Sequence, residues 1–364
     1  MRIGIVGCGN ISGIYLENLH QRFSSVDVVA VADIDHERAT SKAAEFGVPN
    51  ALSVDELVTH PEIDIVLVLT NPESHSELCL RAVENGKHAY TEKPLSVSFK
   101  DGKRLVETAA ANGVRVGAAP DTFMGGGLQT VRKLLDDGEI GAPVGASAFM
   151  LSHGVEGWHP NPHPFYQPGA GPLFDMGPYY LTALVSLLGP IDRVAASSRI
   201  TTPERIVTRE GAEGETVTVN TPTHVAGTLQ FASGAIVTLV VSFDVWAHRL
   251  PCIELYGTAG TITVPDPNRF GGPVSVYRQS NAGWRDEVLQ FGYTTNSRGI
   301  GVVDLAAAVT NRRPHRANGE MSLHVLEAMH GLLESAETAH YYTMTTSCER
   351  PAPMVPSQGD APLD

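Results

Sequence analysis

Near the start of the chain, Gly7-Cys8-Gly9-Asn10-Ile11-Ser12 follows the apolar run Ile3–Val6 in a G-x-G-x-x-S pattern. Gly7 permits a tight turn, Gly9 lets backbone approach a pyrophosphate, and Ser12 lets helix and sheet pack closely. Asn10 and Ile11 complete the turn. The helix behind it offers unpaired N–H groups and a positive dipole end to phosphates. Asp33 follows Ser12 by 21 positions, where a carboxylate usually accepts ribose hydroxyls. A carboxylate there repels a 2′-phosphate, and Ile34, not an arginine, comes next. NAD is therefore expected ahead of NADP. A plain strand-end aspartate capping the next helix has the same appearance, and Asp35 can do that job equally well.

A second concentration of functional side chains is Gly157-Trp158-His159-Pro160-Asn161-Pro162-His163-Pro164-Phe165-Tyr166. Aromatic faces beside polar tips suit a carbohydrate: Trp158 or Tyr166 can stack on a sugar ring while His159 or Asn161 bonds hydroxyls. A proline-stiffened structural loop has the same composition. His153, His159 and His163 lie in a loop without a nearby carboxylate, so no metal site is expected. Asp121, just after a predicted strand, is a further candidate to face a cleft.

These residues need a scaffold, and the first ~120 residues alternate short apolar strands with amphipathic helices, as parallel sheets with crossover helices do. Strands are expected at Ile3–Val6, Val26–Ala32, Ile65–Leu69, His88–Tyr90 and Val114–Gly117. Helices are expected at Ile11–Phe23, Glu37–Phe46, Glu73–Glu84 and Phe99–Ala111, with Gly47, Gly86 and Gly113 beyond three of them. After Pro120 the pattern changes. Helices are expected at Leu128–Leu135 and Leu173–Leu188, separated by the irregular stretch His153–Pro172, a loop long enough to be functional. Period-2 strands follow at His224–Phe231, Ala235–Phe243, Cys252–Tyr256 and Thr261–Val264, then a last helix, Ser322–Thr338. The fold class is α/β: an N-terminal Rossmann domain (1–122) plus a C-terminal α+β domain (123–345) with a large open, mainly antiparallel sheet. A Pro-rich tail (346–364) is expected to end in disorder.

Composition narrows the partners. The chain has 364 residues, 42% hydrophobic and 18% charged, enough apolar material for two cores. Its formal charge is −14, from 26 basic and 40 acidic residues, without a Lys/Arg-rich tract. Nucleic acid and anionic membranes are thereby poor partners. Four scattered cysteines and the lack of a signal-like or spanning apolar run predict a cytoplasmic protein.

Tyr90-Thr91-Glu92-Lys93-Pro94-Leu95 and Thr70-Asn71-Pro72-Glu73-Ser74-His75, taken with the first turn, closely resemble the Gfo/Idh/MocA oxidoreductase family. Gly169-Ala170-Gly171-Pro172-Leu173-Phe174-Asp175-Met176-Gly177 matches that family's second signature, and the resemblance covers nearly the whole chain. It implies hydride transfer between a tightly held nicotinamide cofactor and a sugar, cyclitol or related polyol. It implies that Lys93 touches substrate hydroxyl and cofactor ribose, that Glu92 helps hold the nicotinamide end, and that Pro94 fixes the turn. Thr70, Asn71, Pro72 and His75 would lie along the cofactor, and Asp175 matches the active-site aspartate. Many members carry His four residues later, where this chain has Tyr179. Desolvation and a cationic nicotinamide would shift a lysine towards use as a base. Asp175 and Tyr179 are spaced i, i+4, one helix face if the helix has begun, so Tyr179 can donate to the same oxygen. The family also contains glycosidases using transient oxidation and elimination, and non-catalytic nucleotide sensors; retention of Lys93 and Asp175 argues against the sensor. An apolar sheet face needing a cover predicts a homodimer or homotetramer.

Overall fold

The computed structural model describes residues 1–280, 283–357, 359, 360 and 363. They form two compact units: Met1–Gly125 with Phe291–Leu326 and Met354–Asp364, and Gly126–Gln290 with Glu327–Pro353.

The first unit contains six parallel strands, β1 (Arg2–Val6), β2 (Asp27–Ala32), β3 (Asn50–Leu52), β4 (Ile65–Val68), β5 (His88–Thr91) and β6 (Val116–Ala118). Their order is β3-β2-β1-β4-β5-β6. Helices α1 (Ser12–Gln21), α2 (His36–Phe46), α3 (Val54–Thr59), α4 (His75–Glu84) and α5 (Phe99–Ala111) make the crossovers. Helices on both faces leave β4 wholly buried and β1 buried beyond its first residue. The order reverses between β1 and β4, and ligands bind at the carboxyl ends of strands beside such a reversal.

Local chemistry sets the helix ends. The Asp35 carboxylate caps α2 by accepting the Glu37 and Arg38 amides, and Gly47 closes it at φ 67°. The sequence pattern left residues 47–64 without an element, yet β3 and α3 stand there. A reciprocal Ser53–Glu56 capping box starts α3 and brings Leu57 and Val58 into the core.

The second unit holds β7 (Pro143–Leu151), β8 (Ile191–Arg199), β9 (Glu204–Ile206), β10 (Thr216–Thr218), β11 (His224–Phe231), β12 (Ile236–Ser242), β13 (Ile253–Gly257), β14 (Gly260–Val264), β15 (Val274–Arg278), β16 (Gly283–Glu287) and β17 (Tyr342–Thr343). Nine of these form one sheet, β16-β15-β14-β13-β7-β12-β11-β8-β17, and β9 pairs with β10 apart. Within the nine, β12 and β7 run parallel and the other pairs antiparallel. Alternation along β12 buries Val237, Leu239 and Val241 and exposes Ile236 and Thr238. Helix α6 (Gly126–Asp136) precedes the sheet, and α7 (Gly171–Asp175) and α8 (Gly177–Leu188) follow β7.

Two expectations about boundaries need correction. Residues 291–326 were expected in the second domain but belong to the first unit. Hydrogen bonds explain this: the Asn18 side chain donates to the Asn296 and Arg298 carbonyls, at 3.0 and 2.8 Å. The segment carries α9 (Ile300–Thr310), an unforeseen helix buried on nearly every side, and then the start of α10 (Gly319–Thr338). The supposed tail is also tied down. Arg132 donates to the Pro351 carbonyl in the second unit, and Asp360 accepts the Tyr293 amide and pairs with Arg22 in the first. The expected disorder of its end falls partly on residues 358, 361, 362 and 364, which lie outside the described residues. Among the described residues no helix is long and apolar enough to cross a membrane.

Candidate active site

The turn after β1 is built for a dinucleotide. Gly7 sits at φ +102°, and a Cβ there would lie 2.6 Å from the Leu69 carbonyl oxygen, so only glycine fits. A Cβ on Gly9 would meet nothing within 4 Å, because that residue borders open space. Ser12 is buried and its Oγ donates to the Gly9 carbonyl at 2.7 Å, which pins the helix start to the turn. Burial pushes the Cys8 thiol up to about 11, so it stays protonated beside the site.

Asp33 organises this turn from β2. Its Oδ2 accepts the Cys8 amide at 2.8 Å and its Oδ1 the Asp35 amide at 2.9 Å. A carboxylate has about four acceptor positions; Oδ1 also accepts from Arg38, so Oδ2 is the oxygen that keeps room for a ribose hydroxyl. Arg38 stands 3.4 Å from both Asp33 and Asp35. A cavity of about 520 Å³ opens here, lined by Gly7, Gly9, Asp33, Ile34, Thr70 and Asn71 among others. Ile34 is 98% exposed, an apolar side chain spent on a surface that an adenosine would cover. These residues fit an adenine dinucleotide: an open glycine turn for the pyrophosphate, spare carboxylate capacity for the ribose and apolar walls for the base.

Arg38, Ser74, Leu78 and Arg81 also line the cavity and went unnoticed in the sequence. The available signal was position, since Arg38 lies in the first turn of α2, five residues past Asp33. Pro72 and His75, expected along the cofactor, are not among the lining residues. Pro72 opens a short 3₁₀ turn, Pro72–Ser74, and His75 is 1% exposed.

At the end of β5 the Glu92-Lys93-Pro94 turn is held rigidly. The Glu92 Oε2 accepts the Lys93 amide at 2.9 Å, and its Oε1 accepts the Tyr15 hydroxyl at 2.8 Å. Tyr15 comes from α1, is fully buried, and was missed because its partner is remote in sequence. Burial, with Glu92 beside it, raises the Tyr15 phenol well above its ordinary range, so it acts as a donor. Glu92 is 8% exposed, and Lys93 is partly exposed beside it.

Asp121 does not face a cleft. It is 1% exposed, and its Oδ2 accepts the Gly299 and Gly301 amides at 3.0 Å each, holding the start of α9. Burial raises its carboxyl to about 6.

In the second unit Asp175 ends α7 and Tyr179 lies in the first turn of α8, with Met176 between the helices. The expected single helix Leu173–Leu188 is thus two, because Pro178 has no N–H to continue the ladder. Tyr179 is 7% exposed and its amide donates to the Met176 carbonyl at 3.1 Å.

The aromatic loop also divides. Tyr166 is fully buried, its hydroxyl donating to Glu156, which pairs with buried Arg205, so it cannot stack on a sugar. Trp158 is 64% exposed and meets the half-buried His159 edge to face, with ring centroids 5.4 Å apart. The His159 Nδ1 lies 2.8 Å from the Asn161 carbonyl. Among the described residues no group of three or more His, Cys, Asp or Glu could hold a metal ion.

A reversed-order parallel sheet with an open glycine turn and an acceptor carboxylate after its second strand defines a dinucleotide-binding domain. Residues 1–119 match the oxidoreductase family with an NAD-binding Rossmann fold, and residues 128–263 match the GFO/IDH/MocA C-terminal domain. The chain belongs to the Gfo/Idh/MocA family and is an NAD-dependent oxidoreductase. It is 29% identical over 279 residues, 75% of each chain, to inositol 2-dehydrogenase 3 of Saccharopolyspora erythraea. Inositol 2-dehydrogenase of Burkholderia lata is 33% identical over 149 residues, 40% of this chain and 44% of that protein. Among solved structures, an NAD binding oxidoreductase from Klebsiella pneumoniae has the same fold, with a TM-score of 0.82 at 23% identity. That match covers 95% of this chain and all of that one. A levoglucosan dehydrogenase in complex with NADH gives 0.80 at 20% identity, covering 95% and 99%.

Proposed function

We propose that this protein oxidises a secondary hydroxyl of a cyclitol or sugar with NAD, using Lys93 as the acid–base group. The carrying observation is the Glu92-Lys93-Pro94 turn, fixed at the carboxyl end of β5 in a family of NAD-binding oxidoreductases. Bound NAD would supply the hydride acceptor. Gly7, Gly9, Asn10 and Ile11 hold the pyrophosphate while Ser12 pins the helix start behind them, Asp33 and Ile34 hold the adenosine, and Thr70 and Asn71 form the wall beside it. Glu92 fixes the turn, and Lys93 takes the hydroxyl proton as the carbonyl forms. Asp175 and Tyr179 bond the substrate's hydroxyls, and Trp158 and His159 contact its ring. The inositol dehydrogenase relatives and the levoglucosan dehydrogenase fold support this substrate class.

The test is a screen of cyclitols, free sugars and glycosides, following NADH absorbance with NAD and NADP in parallel. Net NADH from a cyclitol or sugar is expected, with NAD giving the higher kcat/KM. No net reduction with any of them would refute the reading. Glycoside cleavage without net NADH would identify the hydrolytic branch instead.

The nine-stranded sheet is proposed to join copies of this chain. The register places Ile236, Tyr256, Tyr277 and Trp284 in one row across the sheet, all exposed, at 58, 36, 37 and 50%. A dimer or tetramer is expected by light scattering at micromolar concentration, and Tyr277→Glu should shift it towards monomer. A monomeric parent would end this proposal.

A further inference from the structure

His75 opens α4 and is 1% exposed. Its Nδ1 lies 2.8 Å from the carbonyl oxygen of Pro94 and its Nε2 lies 3.0 Å from that of Thr70. Both neighbours are acceptors only. A neutral imidazole has one N–H and one lone pair, so it satisfies one carbonyl and turns a lone pair on the other. Only the imidazolium donates to both.

The two carbonyls belong to the two loops that matter for the proposed reaction. Thr70 follows β4 and lines the dinucleotide cavity, while Pro94 follows Lys93 directly. We propose that His75 is a positioning residue, donating from both ring nitrogens and so tying the cavity wall to the turn that carries Lys93. The proposal rests on the reading of Lys93 as the acid–base group. It replaces the expected contact of His75 with the cofactor, because a ring with both nitrogens engaged has nothing left to offer a ligand.

The forces on the second proton oppose one another. Burial is the largest and draws the ring below its ordinary histidine range, with the Lys93 ammonium adding to that, while the bonds to the Pro94 and Thr70 carbonyls and the Glu92 carboxylate pull the other way. Against that lowering stands the geometry, since each carbonyl is an acceptor only and lies within ordinary hydrogen-bonding distance of its own ring nitrogen. Charge-assisted bonds of this kind are about twice as strong as neutral ones, which suits a clamp between two loops.

The decisive experiment observes the ring nitrogens themselves in the full chain labelled with ¹⁵N-histidine. His75→Asn assigns the resonance among the fourteen histidines by its disappearance. Two protonated nitrogens at His75 from about pH 6 to pH 8 are expected, across the range where an ordinary histidine loses its charge. One protonated and one bare nitrogen at pH 7 would overturn the proposal. His75→Asn, assayed with NAD and myo-inositol, should lower kcat about tenfold while the KM for NAD stays within about twofold. A folded variant with parental kcat would equally overturn it. Turnover surviving in Lys93→Ala would refute the reading of Lys93 alone, because the nitrogen spectrum is independent of substrate.

Discussion

Lys93→Ala should lose turnover by about 10⁴-fold while its affinity for NAD falls only about threefold. The asymmetry follows from where the contacts lie. The glycine turn, Asp33 and the cavity walls belong to β1, β2 and the β4 loop, and Lys93 is not among the residues that line that cavity. The backbone of the turn also survives, because Glu92 accepts the Lys93 amide, which alanine retains. The variant therefore removes the amine while that backbone bond is retained. Steady-state rates with the best substrate, paired with calorimetric titration of NAD, separate the two quantities. A turnover near the parent's would end the lysine-centred mechanism. Equal losses in rate and NAD affinity would show that Lys93 mainly binds cofactor.

Much of the first unit was legible because parallel strands buried on both faces read as unbroken apolar runs. Ile65–Val68 is such a run, and the helix Phe99–Ala111 was placed to the residue, with Asn112-Gly113 marking its stop. Shorter elements escaped. Asn50–Leu52 has three residues and no alternation, and its α3 neighbour is a six-residue helix defined by one capping box. In the second unit β7 reads Pro-Val-Gly-Ala-Ser-Ala-Phe-Met-Leu, small residues with weak strand preference, though it forms the centre of the nine-stranded sheet. Tertiary pairing with β12 and β13 overrides local preference there.

Residue types at the site were easier to foresee than their surroundings. The spacing of the glycines and Asp33 is legible as a pattern, and the structure gathers Gly7, Gly9 and Asp33 around one cavity. Burial leaves no such mark, which is why Asp121, Tyr166 and His75 were misjudged. Each carries a functional group that chemistry could use, and each spends it on its own chain: on the start of α9, on Glu156, and on two carbonyls. Tyr15 shows the converse. Its partner Glu92 lies 77 residues away, so the bond that steadies the lysine turn exists only in three dimensions.

Tyr179→Phe should lower turnover about 10²- to 10⁴-fold, the usual contribution of a positioned proton donor. The substitution keeps the ring that fills its 7%-exposed site at the start of α8 and removes one oxygen. Packing should therefore change little, and a loss of rate would report the hydroxyl. Tyr180 is the internal control. It is equally buried on the same helix, and its hydroxyl is bonded to Cys252, so Tyr180→Phe measures what a lost buried phenol costs without chemistry. Tyr179→His puts a titrating donor in the same place and should recover part of the activity. It should also add an ionisation near pH ~6.5 that the parent's rate profile lacks. The break at Met176 sharpens the comparison. Asp175 closes one helix and Tyr179 starts another, so the pair is not held by a shared helix face. Asp175→Asn should then leave the Tyr179→Phe defect largely intact if the two groups serve different hydroxyls, and mask it if they serve the same oxygen. A Tyr179→Phe enzyme with the parent's rate and pH profile would make this tyrosine a packing residue and leave Lys93 to move the proton unaided.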